Sequence, residues 1–252
     1  MTIYKDEAMA RLLTSIALLI AAAFAVFAAP GSEIELASET ESVPAPGQYL
    51  DELAARDEAI PASSDFPGLV GSERKLGFEV GKYRAPDGKR WIRLFAEYDS
   101  AYRARMDDVI AALWDFESSP KTFSRIISTR VRSDDGSVAV IEQRTGIRIL
   151  GLGYLSNLVF KDVLKRDGAG SATLDFEAIE VDRTTLSSRG SWIIMESRDE
   201  SGPLTYVRYT MESYVEPKYP AQEWIMRKFG DGDVRRVIRE LNKATLEKAK
   251  GG

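Results

Sequence analysis

Between Trp91 and Lys248 the spacing of apolar residues changes several times, and the order of the changes predicts an architecture. Trp91-Ile92-Arg93-Leu94-Phe95-Ala96-Glu97-Tyr98 reads as a strand. It follows Leu76–Tyr83 across Ala85-Pro86-Asp87-Gly88, where Pro presets φ and Gly accepts positive φ. Leu76–Tyr83 and Arg90–Tyr98 are therefore expected to pair as a hairpin. The period then lengthens. Val109, Ile110, Leu113 and Trp114 predict a helix over Met106–Trp114, with Asp107 and Asp108 at the end that the helix dipole favours. Ser119-Pro120 opens a second short helix with an apolar face of Phe123, Ile126 and Ile127.

Six strand-like runs come next: Ile127–Arg132, Ser137–Leu150, Tyr154–Arg166, Ala172–Val181, Thr185–Ser197 and Leu204–Val215. Leu174, Phe176 and Ala178 alternate with Thr173, Asp175 and Glu177, the period of a half-buried strand. Every connection is short and rich in Gly, Asp or Pro, so the sheet is expected to be antiparallel. From Pro220, residues Trp224, Ile225, Phe229, Val234, Val237, Ile238, Leu241 and Ala244 form the stripe of a long closing helix. Gly230-Asp231-Gly232 is expected to bend it.

This order resembles the START/Bet v 1-like superfamily, also called helix-grip or SRPBCC. The chain is similar to it in the Met106–Trp114 helix with Asp115-Phe116, in the proline-led Ser119-Pro120-Lys121-Thr122-Phe123, and in the terminal helix from Pro220 to Lys248. The likeness spans about Arg90 to Lys248 and rests on order and spacing. It implies an α+β fold: a curved antiparallel sheet wrapped around a long C-terminal helix, with two short helices after the first strand. It also implies a deep apolar cavity and no invariant catalytic residue. Members bind lipids, sterols, polyketides or hormones, and some are cyclases or aromatases.

The N-terminal part has a different texture. Arg11 precedes the apolar run Leu12–Ala29, which ends in small residues before Pro30, the pattern of a signal peptide cut after Ala28. Met9 would make a better start than Met1, because Asp6 and Glu7 are unusual ahead of such a run. An uncleaved anchor is the alternative, since eighteen apolar residues can just span a bilayer. Residues 30–70 read as an acidic, Pro-rich linker, with nine acidic residues against Arg56 alone and one short helix expected at Tyr49–Ile60. The net charge of −5 thus belongs to the linker, and the domain expected over 71–252 is slightly basic.

The chain has no cysteine and no histidine. That excludes disulfides and thiolate chemistry, and it removes the commonest general base and metal ligand. No cofactor or metal is expected. Gly151-Leu152-Gly153 lies between two strands, and so reads as a turn and not a dinucleotide fingerprint. Asp175 and Glu177 fall on the wet face of their strand. Arg144 and Arg208 sit mid-strand among apolar neighbours, where a guanidinium could hold an acidic head group, although cross-strand charge ladders explain them equally. The aromatics Tyr154, Phe160, Phe176, Trp192, Tyr209 and Trp224 suffice to line a cavity or to fill a core. Arg227, Lys228, Arg235, Arg236, Arg239 and Lys243 make the last helix basic, either as a solvated face or as a surface for anionic lipid.

The expectation is an exported binding protein, periplasmic or secreted, that holds a hydrophobic small molecule or lipid between sheet and helix. A cyclase- or hydrolase-type enzyme on a hydrophobic substrate, and a membrane-tethered interaction module, are the alternatives. Nucleic acid is not an expected partner.

Overall fold

The computed structural model describes Pro46 and residues 60–149, 152–168 and 170–251, with the backbone alone at 147–149 and 152–154. The leader, most of the acidic stretch, the helix expected at Tyr49–Ile60 except Ile60 itself, Gly151 and the side chain of Tyr154 lie outside the described residues.

Eight strands form one antiparallel, curved, unclosed sheet. They are β1 (Arg74–Arg84), β2 (Arg90–Tyr102), β3 (Ile126–Asp134), β4 (Val138–Ile149), β5 (Leu152–Arg166), β6 (Ser171–Glu180), β7 (Thr185–Asp199) and β8 (Gly202–Val215). The order across the sheet is β1-β2-β8-β7-β6-β5-β4-β3. Chain neighbours pair throughout except at β2, which passes to β8. The chain between β2 and β3 carries two short helices, α1 (Met106–Leu113) and α2 (Ser119–Thr122). The hairpin turn before β2 forms as its residues dictate: Gly88 adopts φ of 82°, and Asp87 Oδ1 accepts a hydrogen bond from the Lys89 amide.

The long helix α3 (Gln222–Gly251) lies on one face of the sheet, beside α1. Ile225, Val234, Ile238 and Leu241 are buried, and the last three join Ala96, Tyr98, Val109, Trp192 and Val207 in the main core. Two hydroxyls from β2 fasten the helix. Tyr102 Oη donates to the Ile238 carbonyl at 3.1 Å, and Tyr98 Oη donates to Asp231 Oδ1 at 2.5 Å.

Three expectations are corrected. The helix continues through Gly230-Asp231-Gly232, where a bend was expected. Gly230 is small for contact: a Cβ there would stand 2.9 Å from Phe78 Cζ of β1. The second short helix stops at Thr122, because Phe123 turns extended and Ile126 already opens β3, leaving Ile127 half exposed. Finally, the stretch read as linker ends earlier than Val70. Ser63–Leu69 form a 3₁₀ helix, and Phe66 and Leu69 are buried with Ala101, Leu204 and Tyr206 on the sheet face opposite α3. Phe66 stacks on Tyr206 with ring centroids 4.9 Å apart.

Candidate functional site

Between α3 and the sheet lies a cavity of two adjoining lobes, each of about 210 Å³. One lobe runs beneath α1 and α2, between Leu113, Phe116, Ile141 and Leu174. The other runs beneath the start of α3, between Leu94, Leu158, Ile225 and Met226. Arg125, Phe160, Ser188, Tyr209, Met211 and Val237 line both lobes and mark where they meet.

Strand pleat decides which predicted residues reach this space. On β5, Ser156, Leu158, Phe160 and Asp162 share the inner face. Phe176 on β6, Trp192 on β7 and Tyr209 on β8 line the first lobe with Phe160. They form an aromatic wall in which Tyr209 lies tilted against Trp192 at 4.2 Å and stacks on Phe176 at 6.2 Å. Burial raises the Tyr209 phenol above its ordinary value, and the nearby Arg125 works against the rise.

Arg144, Arg208 and Trp224 do not line it. Arg144 is exposed on β4, on the face opposite Ile141 and Gln143. Arg208 cannot face the cavity because its neighbour Tyr209 does. It is buried on the opposite face, where its Nε donates to Asp99 Oδ1 at 2.9 Å and to Tyr206 Oη at 3.0 Å. The Arg208 guanidinium is held above its ordinary pKa, the ion pair with Asp99 outweighing burial. A second buried pair on this outer face joins Arg93 Nε to Glu212 at 2.7 Å. Trp224 is 59% exposed on α3, next to Ile225, which is the residue that turns inward.

Two charged groups line the cavity beyond the residues expected there, among the described residues. Arg125, in the turn before β3, forms an ion pair with Asp233 of α3. Burial lowers the Arg125 pKa, partly offset by Asp233. Asp162 lines the first lobe at 7% exposure, and its Oδ1 is buried with no hydrogen-bond partner among the described residues. Burial alone pushes its carboxyl up to about 7. The serine hydroxyls are already satisfied: Ser188 pairs with Ser213 at 2.7 Å, and Ser156 with Thr185 at 2.9 Å. A buried carboxyl without a partner costs free energy, and so marks where a ligand group would be accommodated.

Residues 103–242 match the family described as polyketide cyclase/dehydrase and lipid transport, and the chain belongs to that family. Its fold is the START, or helix-grip, fold. A STAR-related lipid transfer protein fragment from Xanthomonas axonopodis superposes with a TM-score of 0.50 at 14% identity, covering 68% of this chain and 99% of that one. An aromatase/cyclase from Streptomyces sp. R1128 gives 0.46 at 14% identity, over 63% of this chain and 94% of that one. Human STARD10 gives 0.48 at 14% identity, over 75% and 81%. No curated protein matches the chain.

Proposed function

We propose that this protein is an exported carrier that holds a hydrophobic small molecule or lipid in the two-lobed cavity. The observation that carries the reading is the continuous lining shared by the two lobes at Phe160, Tyr209, Met211 and Val237. Apolar burial against these side chains would supply the affinity, at about 25 cal/mol per Å². The apolar run Leu12–Ala29 supports export to a periplasm or beyond.

The first turns of α3 support a further contact with a membrane surface. Trp224 and the partly exposed Phe229 meet edge to face at 6.2 Å, beside Arg227 and Lys228 and next to the lobe lined by Ile225 and Met226. Aromatic rings flanked by cations suit the interface of an anionic bilayer.

One observation favours a catalytic reading as the second choice. Asp162 is a cavity carboxyl whose pKa of about 7 suits general acid–base work on a bound substrate.

Trp192 gives the test. It lines the first lobe, so titration with a lipophilic polyene should quench its fluorescence saturably, and Trp192→Phe should remove that quench while leaving affinity close to wild type. Quenching that does not saturate, or that persists unchanged in Trp192→Phe, overturns the cavity as the binding site. Conversion of a bound polyketide by wild type but not by Asp162→Asn would establish the enzyme reading instead.

A further inference from the structure

The cavity's charges carry more than its size does. Among the described residues that line the two lobes, Arg125 is the one cation, and Asp233 neutralises it. The other charged lining residue is Asp162, whose Oδ1 has no hydrogen-bond partner among the described residues. An anionic head group would meet one carboxylate without a partner, and a guanidinium already committed to another. Resting on the carrier reading above, we infer that the cavity selects an apolar ligand with an uncharged hydroxyl, and that Asp162, beneath α1 and α2, is the residue that receives it.

The chemistry is simple. A hydroxyl can donate to the orphan Oδ1 and accept in return when the carboxyl is protonated, so it satisfies Asp162 in either state. A carboxylate or phosphate ligand can pair only with the protonated form, and its own charge then stays buried without a counter-ion. Gly190 of β7 makes room for the Phe176 ring that lines this lobe: a Cβ there would stand 2.4 Å from Phe176 Cζ and 2.2 Å from the Thr210 carbonyl oxygen. Asp162 lies on β5, so the hydroxyl it receives is set against that strand.

The test is a matched pair of probes that share one hydrocarbon chain. Affinities of the purified protein for oleyl alcohol and for oleate are measured at pH 8, below the concentrations at which either aggregates. The alcohol should bind at least about tenfold more tightly. In Asp162→Asn, which removes the charge and keeps the shape, oleate should gain and the ratio should fall by about threefold or more. Equal or tighter binding of oleate by wild type overturns the inference, and that measurement needs no variant to fold. A ratio unchanged in a folded Asp162→Asn also overturns it, because the discrimination then arises elsewhere. Binding of neither probe, with no quench of Trp192 by any lipophilic probe, instead removes the carrier reading on which it rests.

Discussion

Arg125 and Asp233 form an ion pair that ties the turn before β3 to the middle of α3 across the junction of the two lobes. The pair does two jobs. It holds the helix over the cavity, and it cancels the one cation, among the described lining residues, that an acidic ligand could otherwise have used. Replacing Arg125 with Gln leaves Asp233, largely buried, with only the longer 3.8 Å contact to Arg236. The expected cost is roughly 2–3 kcal/mol, less than for a fully buried pair because Arg125 retains some exposure. Chemical denaturation of Arg125→Gln, Asp233→Asn and the double variant checks this. The double variant should recover part of the loss, and simple additivity of the single costs would contradict the coupling.

Asp162 predicts an unusual pH dependence. Its carboxyl titrates near 7 in the folded chain against 3.8 when unfolded. The native state therefore holds a proton that the unfolded state has lost across that window. Stability contributed by this group is full below about 4, falls as the pH rises, and is lost above about 7. Among the described residues the other titratable side chains of its lobe are Arg125 and Tyr209, and burial alone accounts for the shift of Asp162. Asp162→Asn should melt higher than wild type at pH 8.5, by an amount on the order of 4 kcal/mol at most, and the two should converge at pH 4.5. A difference that does not change with pH contradicts a buried, proton-linked carboxyl.

Gly230 and Gly232 of α3 should behave oppositely. Gly232 faces open space, so Gly232→Ala gains helix propensity of about 1 kcal/mol and raises the melting temperature by roughly 2–4 °C. Gly230→Ala places a methyl group against the Phe78 ring and should gain nothing or lose stability. Thermal melts of the two single variants decide the matter.

Phe66 is buried to 1% exposure under the 3₁₀ helix, against Tyr206. Phe66→Ala should cost about 3–5 kcal/mol, measured by denaturant unfolding. A chain begun at Gly71 should be destabilised to a similar degree. Unchanged stability in either would mean that this segment is merely laid on the sheet.

Replacing both Trp224 and Phe229 with Ala should lower binding to phosphatidylglycerol vesicles by ~10-fold, measured by sedimentation, and leave the oleyl alcohol affinity unchanged. Loss of ligand affinity would instead put these rings at the cavity.

Much of the fold was legible because its elements repeat a period. Leu174-Asp175-Phe176-Glu177-Ala178 shows its wet and dry faces directly, and the Val234, Ile238, Leu241 stripe of α3 is the one that packs. The site was legible only where a residue's facing follows from its own strand. Arg208 and Tyr209 are adjacent, so the pleat allows one of them into the cavity, and the aromatic took the place. Asp162 carried the same signal, since Leu158, Phe160 and Leu164 set its parity, yet an acidic residue in a strand draws the eye to the outer face. Arg125 lies in a turn with no period at all, and its pairing with Asp233 spans more than a hundred residues of chain. Gly230 read as a helix breaker because the ring it accommodates belongs to β1, far away in sequence.

The most direct measurement is native mass spectrometry of the protein purified from its own host, followed by organic extraction and identification of what is released. The expected result is a protein-bound mass that extraction identifies as an uncharged, hydroxyl-bearing hydrophobic molecule, absent from protein whose cavity is blocked by Ser188→Trp. A bound fatty acid or phospholipid would contradict the selectivity assigned to Asp162. A protein that carries nothing and takes up neither oleyl alcohol nor any lipophilic probe would contradict the carrier itself.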